Sequence, residues 1–375
     1  MSIGVAILGS TGSIGCSTLQ VLARQRERFR VVALTAHSNA DLLAHQAAEW
    51  KPAYVGLVNS GKGEGGRGKG PACLVEAATH PDVRIVVNGV VGAAGLEATL
   101  AALSAGKRVA LANKETLVMA GELVTRAARQ GGGEIVPVDS EHSAVLQCTA
   151  GRGRSELARL ILTASGGPFR TWAPERIAAA TVAEALRHPT WKMGKKITVD
   201  SATLVNKALE VIEAHFLFGL GYDAVDVVVH PQSVVHAFVE FVDGSVLAQV
   251  GFPTMELPIL YALTYPARVP DAGTRRFDPV AAGNLTFEAV APETYPAYDL
   301  GRAAATSGGT APTAFNAANE VAVRLFLEGA IPFGRIATTI ARVLETSRPG
   351  AADTLEAVLA ADAGARRLAR EAACS

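Results

Sequence analysis

The sequence is poor in features that define whole classes of protein. Its four cysteines, Cys16, Cys73, Cys148 and Cys374, form no C-x-x-C pair, so neither a disulfide framework nor a cysteine zinc site is predicted. No run of 18 apolar residues exists that could span a membrane. Residues 1–10 lack the basic segment of a secretory signal. These observations predict a cytoplasmic protein with reduced thiols and no membrane partner.

Net charge is also lacking, because 35 basic and 35 acidic residues cancel. This balance argues against a protein that binds nucleic acid through bulk charge. Hydrophobic residues make up 49% of the chain and charged residues 19%, which excludes disorder as the overall state. A chain of this size buries roughly three quarters of its surface, enough for two or three domain cores.

Short apolar runs alternate with segments of helical composition through residues 1–140. The runs occupy residues 5–8, 31–34, 54–58, 84–87, 108–112 and 134–138. Alternation of this kind predicts an α/β fold with a parallel, doubly wound, Rossmann-like sheet. Residues 60–70 are rich in Gly and Lys and predict a mobile surface loop.

The remainder of the chain has a different pattern. Residues 141–264 predict an α+β domain, with strands at 160–162 and 197–199, a helix at 206–218, a capping box at Thr181 and Glu184, and a hairpin turn at Asp243-Gly244. Residues 265–297 are rich in Pro, Gly and Asp and predict a linker. Residues 298–375 predict a small helical domain.

A glycine-rich turn, GSTGSIG at residues 9–15, follows the first predicted strand and precedes a helix. Glycines let the backbone approach a pyrophosphate, and the helix N-terminus favours its charge. The alternative is a tight turn without a ligand. After the second strand, His37, Ser38 and Asn39 stand where an NAD-specific site has an acid, which favours NADP.

Polar side chains also follow the fifth and sixth predicted strands, where parallel sheets bind ligands. Lys114 could polarise a substrate oxygen there, or be an exposed lysine in the first turn of a helix. Asp139 and Glu141 point the same way if the chain is extended, and their oxygens suit Mg²⁺ or Mn²⁺. The alternative is a turn with solvated acids. His142 follows the pair and could support it.

Two further motifs could bind an anion and cover it. TASGGPF at residues 163–169 offers a hydroxyl and backbone amides, although an ordinary turn has the same composition. The loop at residues 188–196 is aromatic and basic and could close over a site, with Trp191 excluding water. A Trp191 that anchors the loop to the core is the alternative.

The segment at residues 200–210 combines Ser201, Asn206, Lys207 and Glu210. The first three could hold a phosphate, while Glu210, one helical turn beyond Asn206, could reach a metal. The alternative is a surface Lys207–Glu210 pair of little energetic value, with residues 200–201 as a helix cap. The histidines at positions 230 and 236 are expected to be structural, although the second could support the site.

Together these motifs resemble the 1-deoxy-D-xylulose 5-phosphate reductoisomerase family over essentially the whole chain. The resemblance rests on GSTGSIG at 9–15, ANKETLV at 112–118, PVDSEHSA at 137–144, SGGPF at 165–169, HPTWKMG at 188–194 and DSATLVNKALE at 200–210. It implies an NADPH-binding domain at 1–140, a catalytic domain with a mobile lid at 141–264, a linker at 265–297 and a helical domain at 298–375. It also implies a homodimer and a divalent cation.

The implied reaction converts a sugar phosphate, 1-deoxy-D-xylulose 5-phosphate, to 2-C-methyl-D-erythritol 4-phosphate in the non-mevalonate isoprenoid pathway. The resemblance favours a retro-aldol and aldol sequence through an enediolate, followed by hydride transfer from NADPH. A Mg²⁺ or Mn²⁺ ion would act as the Lewis acid.

The resemblance implies roles for individual residues. The implied metal ligands are Asp139, Glu141 and Glu210. The implied phosphate contacts are Ser165, Ser201, Asn206 and Lys207, with His188 also contacting the substrate. The other implied substrate contacts are Lys114, Ser140 and the lid residue Trp191. The residues expected to act in catalysis are Lys114, Asp139, Glu141, Glu210 and His188. The expected cofactor contacts are Thr11, Gly12, Ser13, Ile14, His37, Ser38, Asn39, Asn113, Glu115 and Met193.

The chain departs from the family pattern at two points. Residues 37–39 stand where many members have Gly-Lys-Asn, and Ala164 stands where many have glycine. Two other function classes fit less well. A semialdehyde-phosphate type dehydrogenase needs a thiolate nucleophile, and none of the four cysteines lies at a plausible catalytic turn. A noncatalytic NADP sensor would not need three carboxylates, a lysine and an anion site together.

Overall fold

The computed structural model describes residues 2–59, 68–191 and 193–374, and the chain forms two compact units. The first comprises Met1–Thr116, Val124–Leu146 and Thr254–Arg276, and the second comprises Leu117–Leu123, Gln147–Pro253 and Phe277–Ser375. Most of the loop predicted at residues 60–70, and lid residue Lys192, lie outside the described residues. The division into four functional parts stays a prediction.

A six-stranded parallel sheet forms the centre of the first unit. Its strands are β1 (Ile3–Leu8), β2 (Phe29–Ala36), β3 (Tyr54–Leu57), β4 (Ile85–Asn88), β5 (Arg108–Leu111) and β6 (Glu134–Pro137). The order across the sheet is β3-β2-β1-β4-β5-β6, the order of a doubly wound dinucleotide-binding sheet. The predicted Rossmann-like fold is therefore confirmed.

Helices follow the strands of this sheet. They are α1 (Ser13–Arg24), α2 (Ala40–Trp50), α3 (Ala72–Thr79), α4 (Leu96–Ser104), α5 (Lys114–Gly131) and α6 (Ser140–Thr149). A later helix, α11 (Glu256–Thr264), returns to this unit and packs beside α1. Arg24 holds the returning segment through hydrogen bonds to Asp271 (2.8 Å) and Glu256 (2.5 Å). The first unit is thus built from sequence segments more than 100 residues apart.

A mixed five-stranded sheet lies in the second unit. Its strands are β7 (Leu157–Ala164), β8 (Val225–Val229), β9 (Val235–Phe241), β10 (Val246–Val250) and β11 (Glu288–Ala289), in the order β10-β9-β7-β8-β11. Strands β9 and β10 are antiparallel and flank the Asp243-Gly244 turn, so the predicted hairpin is confirmed. The predicted capping box is confirmed as well, since Thr181 and Glu184 cap each other's backbone.

The second unit also contains most of the helices. They are α7 (Pro174–Ala178), α8 (Val182–Ala185), α9 (Lys195–Ala202), α10 (Val205–Phe218), α12 (Pro279–Ala282), α13 (Pro296–Ser307), α14 (Ala311–Leu327), α15 (Arg335–Thr346) and α16 (Leu355–Cys374). The C-terminal helices bury a core around Phe315, Ile336 and Ile340. Among the helices that the structure describes, none has the length and hydropathy needed to cross a bilayer.

The prediction of a strand at residues 197–199 is wrong, because these residues lie in the middle of α9. Their β-branched side chains favour a strand, but local bonds favour the helix. The Thr198 hydroxyl donates to the Gly194 carbonyl (2.9 Å), and Lys196 pairs with Asp200 one turn on (2.9 Å). Burial of Thr198 and Val199 adds a tertiary contribution that outweighs intrinsic propensity.

The segment predicted as a linker contains regular structure. Helix α12 lies within it, and strand β11 pairs with β8 in the second sheet. Pro and Gly content alone therefore overestimated its irregularity.

Candidate active site

The predicted site residues fall in both units. In the first unit, the glycine-rich turn connects β1 to α1. The N–H groups of Gly9 and Ser10 donate to the Thr35 carbonyl at the end of β2 (3.0 and 2.8 Å). A Cβ on Gly15 would lie 2.4 Å from the Gly9 carbonyl oxygen, so only glycine permits this close approach. The sequence therefore requires a compact turn.

Helix α1 is suited to bind an anion at its start. Its N-cap is Gly12, which has no side chain to cover the first-turn amides. Gly12 and Ser13 are exposed, and Thr11 and Ile14 are half-buried. Amides at a helix N-terminus attract negative charge, so a pyrophosphate fits here.

The three residues after β2 are exposed at the same end of the sheet. Asn39 caps α2, because its Oδ1 accepts a hydrogen bond from the Leu42 amide (3.1 Å). Its side-chain NH₂ and the side chains of His37 and Ser38 face solvent. These hydrogen-bond donors suit a 2′-phosphate better than a carboxylate would.

The Asn113 side chain stabilises the loop after β4 through hydrogen bonds. It is buried, and its side-chain NH₂ donates to the carbonyls of Val90 (2.6 Å) and Gly92 (2.9 Å). Its Oδ1 accepts from the Thr116 amide (3.0 Å) and caps α5. Glu115 is buried beside it, with Oε2 3.2 Å from the Asn113 nitrogen. The predicted cofactor contacts of Asn113 and Glu115 stay predictions, and both side chains support the loop.

Lys114, which is buried, forms an ion pair with the half-buried Asp139. Lys114 begins α5 directly after β5, and Asp139 follows β6, the adjacent strand. The Lys114 ammonium donates to Asp139 Oδ2, and His142 Nδ1 lies 3.3 Å from the same oxygen. Burial raises the pKa of the Asp139 carboxyl, but Lys114 and His142 outweigh it and hold this pKa well below its usual range. Asp139 is therefore a carboxylate.

The two acids after β6 do not share an extended chain, so that part of the prediction is wrong. Helix α6 begins at Ser140, and Glu141 lies in its first turn while Asp139 precedes it. A helix start favours acidic residues and overrides the period of two. The turn still brings a carboxylate oxygen of each within 4.8 Å of the other. The Ser140 hydroxyl donates to Glu141 Oε2 (2.5 Å).

In the second unit, His188 lies at the centre of a hydrogen-bonded cluster. Its Nε2 is 3.0 Å from Ser165 Oγ and 3.1 Å from Ser201 Oγ. Its Nδ1 accepts from the amides of Thr190 (3.1 Å) and Trp191 (2.8 Å). The ring therefore connects the two serines to the start of the predicted lid.

These contacts define the protonation of the ring. Because Nδ1 accepts two hydrogen bonds, the proton of the neutral imidazole is on Nε2 and points to the serines. Burial lowers the pKa of His188 to about 4, which keeps the ring neutral at physiological pH. Ser165 Oγ also accepts from the Gly167 amide (3.2 Å), so its own proton is left to donate to an anion.

Helices α9 and α10 supply the other members of this group. Ser201 lies in the last turn of α9, and Asn206 and Lys207 lie in the first turn of α10. The Asn206 side-chain NH₂ donates to Glu210 Oε1 (2.5 Å), and Lys207 donates to Glu210 Oε2. The pair is buried, with side-chain exposures of 4% for Lys207 and 1% for Glu210. The alternative of a solvated surface pair is therefore wrong.

Residues 200–201 are also not a helix cap, since both lie inside α9. The buried carboxylate of Asp200 accepts from Asn319 Nδ2 on α14 (2.8 Å) and from Lys196 (2.9 Å). These bonds hold the end of α9 that carries Ser201. The supporting role of Asn319 was missed because it lies 119 residues away in the sequence and belongs to no local motif.

Trp191 is half-buried, and its ring centroid lies 6.4 Å from that of His236. Met193, beyond the undescribed Lys192, is half-buried. His230 is a structural residue, as expected. Its Nδ1 lies 2.8 Å from the Thr286 carbonyl oxygen, and its Nε2 accepts from the amides of residues 234 (3.1 Å) and 235 (3.2 Å).

Comparison with known proteins finds one family along the chain. Residues 5–121 match the profile described as 1-deoxy-D-xylulose 5-phosphate reductoisomerase, and residues 135–218 and 250–368 match two C-terminal domain profiles of the same reductoisomerase. The reductoisomerases of Symbiobacterium thermophilum and Ralstonia nicotianae are 49% and 48% identical to this chain. The matches cover 99% and 97% of it, and 99% and 96% of the relatives.

Solved structures agree with this match. The Zymomonas mobilis reductoisomerase in complex with NADPH is 40% identical, with a TM-score of 0.92 and full coverage of both chains. A reductoisomerase in complex with NADPH, fosmidomycin and magnesium is also 40% identical. Its TM-score is 0.93, and the match covers 99% of this chain and 98% of that one.

Proposed function

Because the chain belongs to the 1-deoxy-D-xylulose 5-phosphate reductoisomerase family, we propose that it rearranges and reduces 1-deoxy-D-xylulose 5-phosphate to 2-C-methyl-D-erythritol 4-phosphate. The observation that supports this most is the neutral His188 between Ser165 and Ser201, which leaves hydroxyl protons directed at an anion. The proposed pathway is the non-mevalonate route to isoprenoids.

NADPH is the proposed reductant, and it supplies the hydride when bound. The turn before α1 and the start of that helix, at Thr11, Gly12, Ser13 and Ile14, would hold its pyrophosphate. The 2′-phosphate would be contacted by hydrogen-bond donors of His37, Ser38 and Asn39. Relatives solved with NADPH support this choice of cofactor.

Asp139, Glu141 and Glu210 are the proposed ligands of a Mg²⁺ or Mn²⁺ ion. Their hard carboxylate oxygens fit such an ion, and Asp139 is held ionised by Lys114. When bound, the ion supplies Lewis-acid stabilisation of negative charge on the substrate oxygens. A relative solved with magnesium and fosmidomycin supports the assignment.

The protein's own groups perform the remaining work. Ser165, Ser201, Asn206 and Lys207 would hold the substrate phosphate, whose binding energy orients the distant reacting carbons. Asn206 Oδ1 is buried and accepts no hydrogen bond from the described residues, so a ligand hydroxyl fits beside it.

Close to the reacting carbons, Lys114 and Ser140 would donate to substrate oxygens. Trp191 would cover the substrate and exclude water, with Met193 against the nicotinamide. We assign residues 1–140 to cofactor binding, 141–264 to catalysis, 265–297 to connection and 298–375 to the helical domain.

The decisive experiment follows NADPH absorbance with 1-deoxy-D-xylulose 5-phosphate, with Mg²⁺, with Mn²⁺ and with a chelator. Oxidation should require both the substrate and a metal, and the product should be 2-C-methyl-D-erythritol 4-phosphate by mass spectrometry. Ser165→Ala should raise the KM for the sugar phosphate without changing the KM for NADPH. Absence of oxidation by the wild-type enzyme with substrate and metal present would refute the proposed activity.

A homodimer is the proposed assembly. Strand β10 is an edge of the second sheet and exposes Val246 (48%) and Leu247 (40%). An apolar edge strand is a template for pairing with a second copy. Light scattering should give the mass of two chains for the wild type and of one for Leu247→Lys. The matched control is Val280→Lys, at an exposed valine outside the sheet. A monomeric wild type would refute the dimer, and a dimeric Leu247→Lys would refute the edge as its interface.

We also propose a cytoplasmic location, in which the thiols of Cys16, Cys73 and Cys148 stay reduced. Cell fractionation with an antibody tests it, and recovery outside the cytoplasmic fraction would contradict it.

A further inference from the structure

The segment 286–295 contacts three parts of the second unit that surround the proposed phosphate site. The Tyr295 hydroxyl donates to the Gly166 carbonyl (2.8 Å). Glu288 accepts two hydrogen bonds from Arg170 (2.7 and 2.9 Å), and the Thr286 carbonyl accepts from His230 (2.8 Å). The segment therefore fastens both ends of the loop at residues 165–170.

This loop depends on a pair of left-handed glycines. Gly166 has φ of +79° and Gly167 has φ of +64°, a region that other residues rarely adopt. A Cβ on Gly167 would lie 2.7 Å from the Ser201 carbonyl oxygen, so the loop packs directly against the end of α9. The backbone of the loop that carries Ser165 therefore packs against the backbone of Ser201.

A single peptide group connects Tyr295 to the serine hydroxyl. The Gly166 carbonyl and the Gly167 amide belong to the same planar peptide unit, so fixing one end fixes the other. Tyr295 holds the carbonyl end, while the amide end donates to Ser165 Oγ (3.2 Å). Rotation of this peptide would remove the hydrogen bond from the Gly167 amide to Ser165 Oγ, and with it the arrangement that leaves the Ser165 proton available to an anion.

The environment of Tyr295 keeps it a donor. Its ring is buried among Ala164 and Leu204, the residues that precede the loop and α10. Burial raises the pKa of the phenol to about 12, so the hydroxyl stays protonated at neutral pH.

We propose that Tyr295 is a positioning residue for the phosphate group of the substrate, acting through the 166–167 peptide. This role rests on the proposed function, because it needs Ser165 to contact that phosphate. It assigns part of substrate recognition to a segment whose composition predicts only a linker.

The test compares Tyr295→Phe with the control Tyr298→Phe. The control also removes a phenol hydroxyl beside the same apolar cluster, but only the Tyr295 hydroxyl donates to the loop at residues 165–170. Loss of one hydrogen bond gives about a 2- to 13-fold effect. Tyr295→Phe should raise the KM for the sugar phosphate and the inhibition constant of inorganic phosphate by the same factor in this range. The KM for NADPH and the melting temperature should match those of the control.

Unchanged constants in Tyr295→Phe would overturn the proposal. An equal rise in the KM for NADPH with a lowered melting temperature would also overturn it, since that result assigns Tyr295 to the fold alone. Glu288→Gln provides a second variant at an exposed bond, and a smaller rise in the same two phosphate constants is expected. If the wild type fails to reduce the sugar phosphate, calorimetry with inorganic phosphate still measures the effect of Tyr295→Phe separately from the proposed reaction.

Discussion

The two units each contain a buried lysine paired with a carboxylate, and the pairs are assembled in different ways. Lys207 and Glu210 are three residues apart on α10, with exposures of 4% and 1%. Lys114 and Asp139 are 25 residues apart, with exposures of 8% and 15%, and meet because they follow the adjacent parallel strands β5 and β6. One pair needs a single helical turn, while the other needs a correctly formed sheet.

This difference teaches how similar chemistry can depend on different levels of structure. Any condition that preserves α10 preserves the spacing of Lys207 and Glu210, since it is set by the helix. The Lys114–Asp139 spacing is lost when β5 and β6 separate. The two pairs also differ in what remains when one partner is removed, and this can be measured.

The largest expected effect comes from neutralising one carboxylate in each pair. Asp139→Asn and Glu210→Gln should each lower kcat/KM by about 100-fold or more and raise the Mg²⁺ concentration needed for activity, because a proposed ligand charge is lost. NADPH affinity should change little. Metal titration of activity is the measurement, with Glu141→Gln as a third variant.

The free energies of unfolding of the same variants compare how much each ion pair contributes to stability. Glu210→Gln removes the charge of a carboxylate that pairs with the more deeply buried ammonium, so the variant should lose about 3–5 kcal/mol of stability, and Asp139→Asn should lose less. Chemical denaturation of both variants, without metal, compares the two losses. Equal losses would show that exposure does not distinguish the pairs, and wild-type metal dependence in all three variants would refute the ligand assignment.

A smaller effect is expected at the lid, which belongs to the second unit. Trp191→Ala should lower turnover by about 10- to 100-fold, because water reaches the bound substrate. Its melting temperature should fall little, since the ring is only half-buried. Truncation of a fully buried Trp would cost about 3–5 kcal/mol. A stability loss of that size would assign Trp191 to the fold of the second unit and refute its role as a lid.

The pH dependence of stability should also differ between His188 in the second unit and Asp139 in the first. His188 has a folded pKa of about 4, below its ordinary value near 6.5. The unfolded chain therefore gains a proton first as pH falls from about 6.5 to 4, and stability should drop by about 1–2 kcal/mol, discounted for partial exposure. The Asp139 carboxyl, with a depressed pKa, contributes stability that is lost only at still lower pH.

Denaturation of ligand-free protein across this pH range is the measurement, and His188→Gln is the control. The variant should show a flatter profile between pH 6.5 and 4. An identical slope in both proteins would assign the titration to another group.

Among the variants of this comparison, the smallest effect on activity is expected at the cofactor end of the first unit. Ser38→Asp should shift the kcat/KM ratio from NADPH toward NADH by about 5- to 30-fold, because a carboxylate repels the 2′-phosphate while screening limits the effect at an exposed site. Phosphate inhibition, which reports on the second unit, should be unchanged. Ser38→Asn is the uncharged control, and an unchanged ratio would show that another residue contacts this group.

Both pairs in this comparison could be predicted, one from helical spacing and the other from the topology of a parallel sheet. The positions of Asn206, Lys207 and Glu210 follow from helical spacing, and the meeting of Lys114 with Asp139 follows from the rule that parallel strands share one carboxyl edge. The extended arrangement of residues 139–141 and the strand at 197–199 were wrong, since helix starts and tertiary burial outweighed the local pattern.

Long-range partners were beyond the reach of local patterns. Asn319 supports Asp200 and Tyr295 contacts Gly166, across separations of 119 and 129 residues. Neither residue belongs to a motif of the second unit's anion cluster. Such contacts exist only once the chain has folded around them.

The return of residues 254–276 to the first unit has a consequence for synthesis on the ribosome. Ile259 and Leu263 of α11 share a core with Leu19 and Leu22 of α1. Residues 1–146 therefore emerge with the side of α1 that packs against α11 uncovered, and the chain must extend through Thr264 before α11 can cover it. During that interval the nascent chain exposes apolar surface. Chaperones at the exit of the ribosomal tunnel would be able to bind it while more than 100 further residues are synthesised.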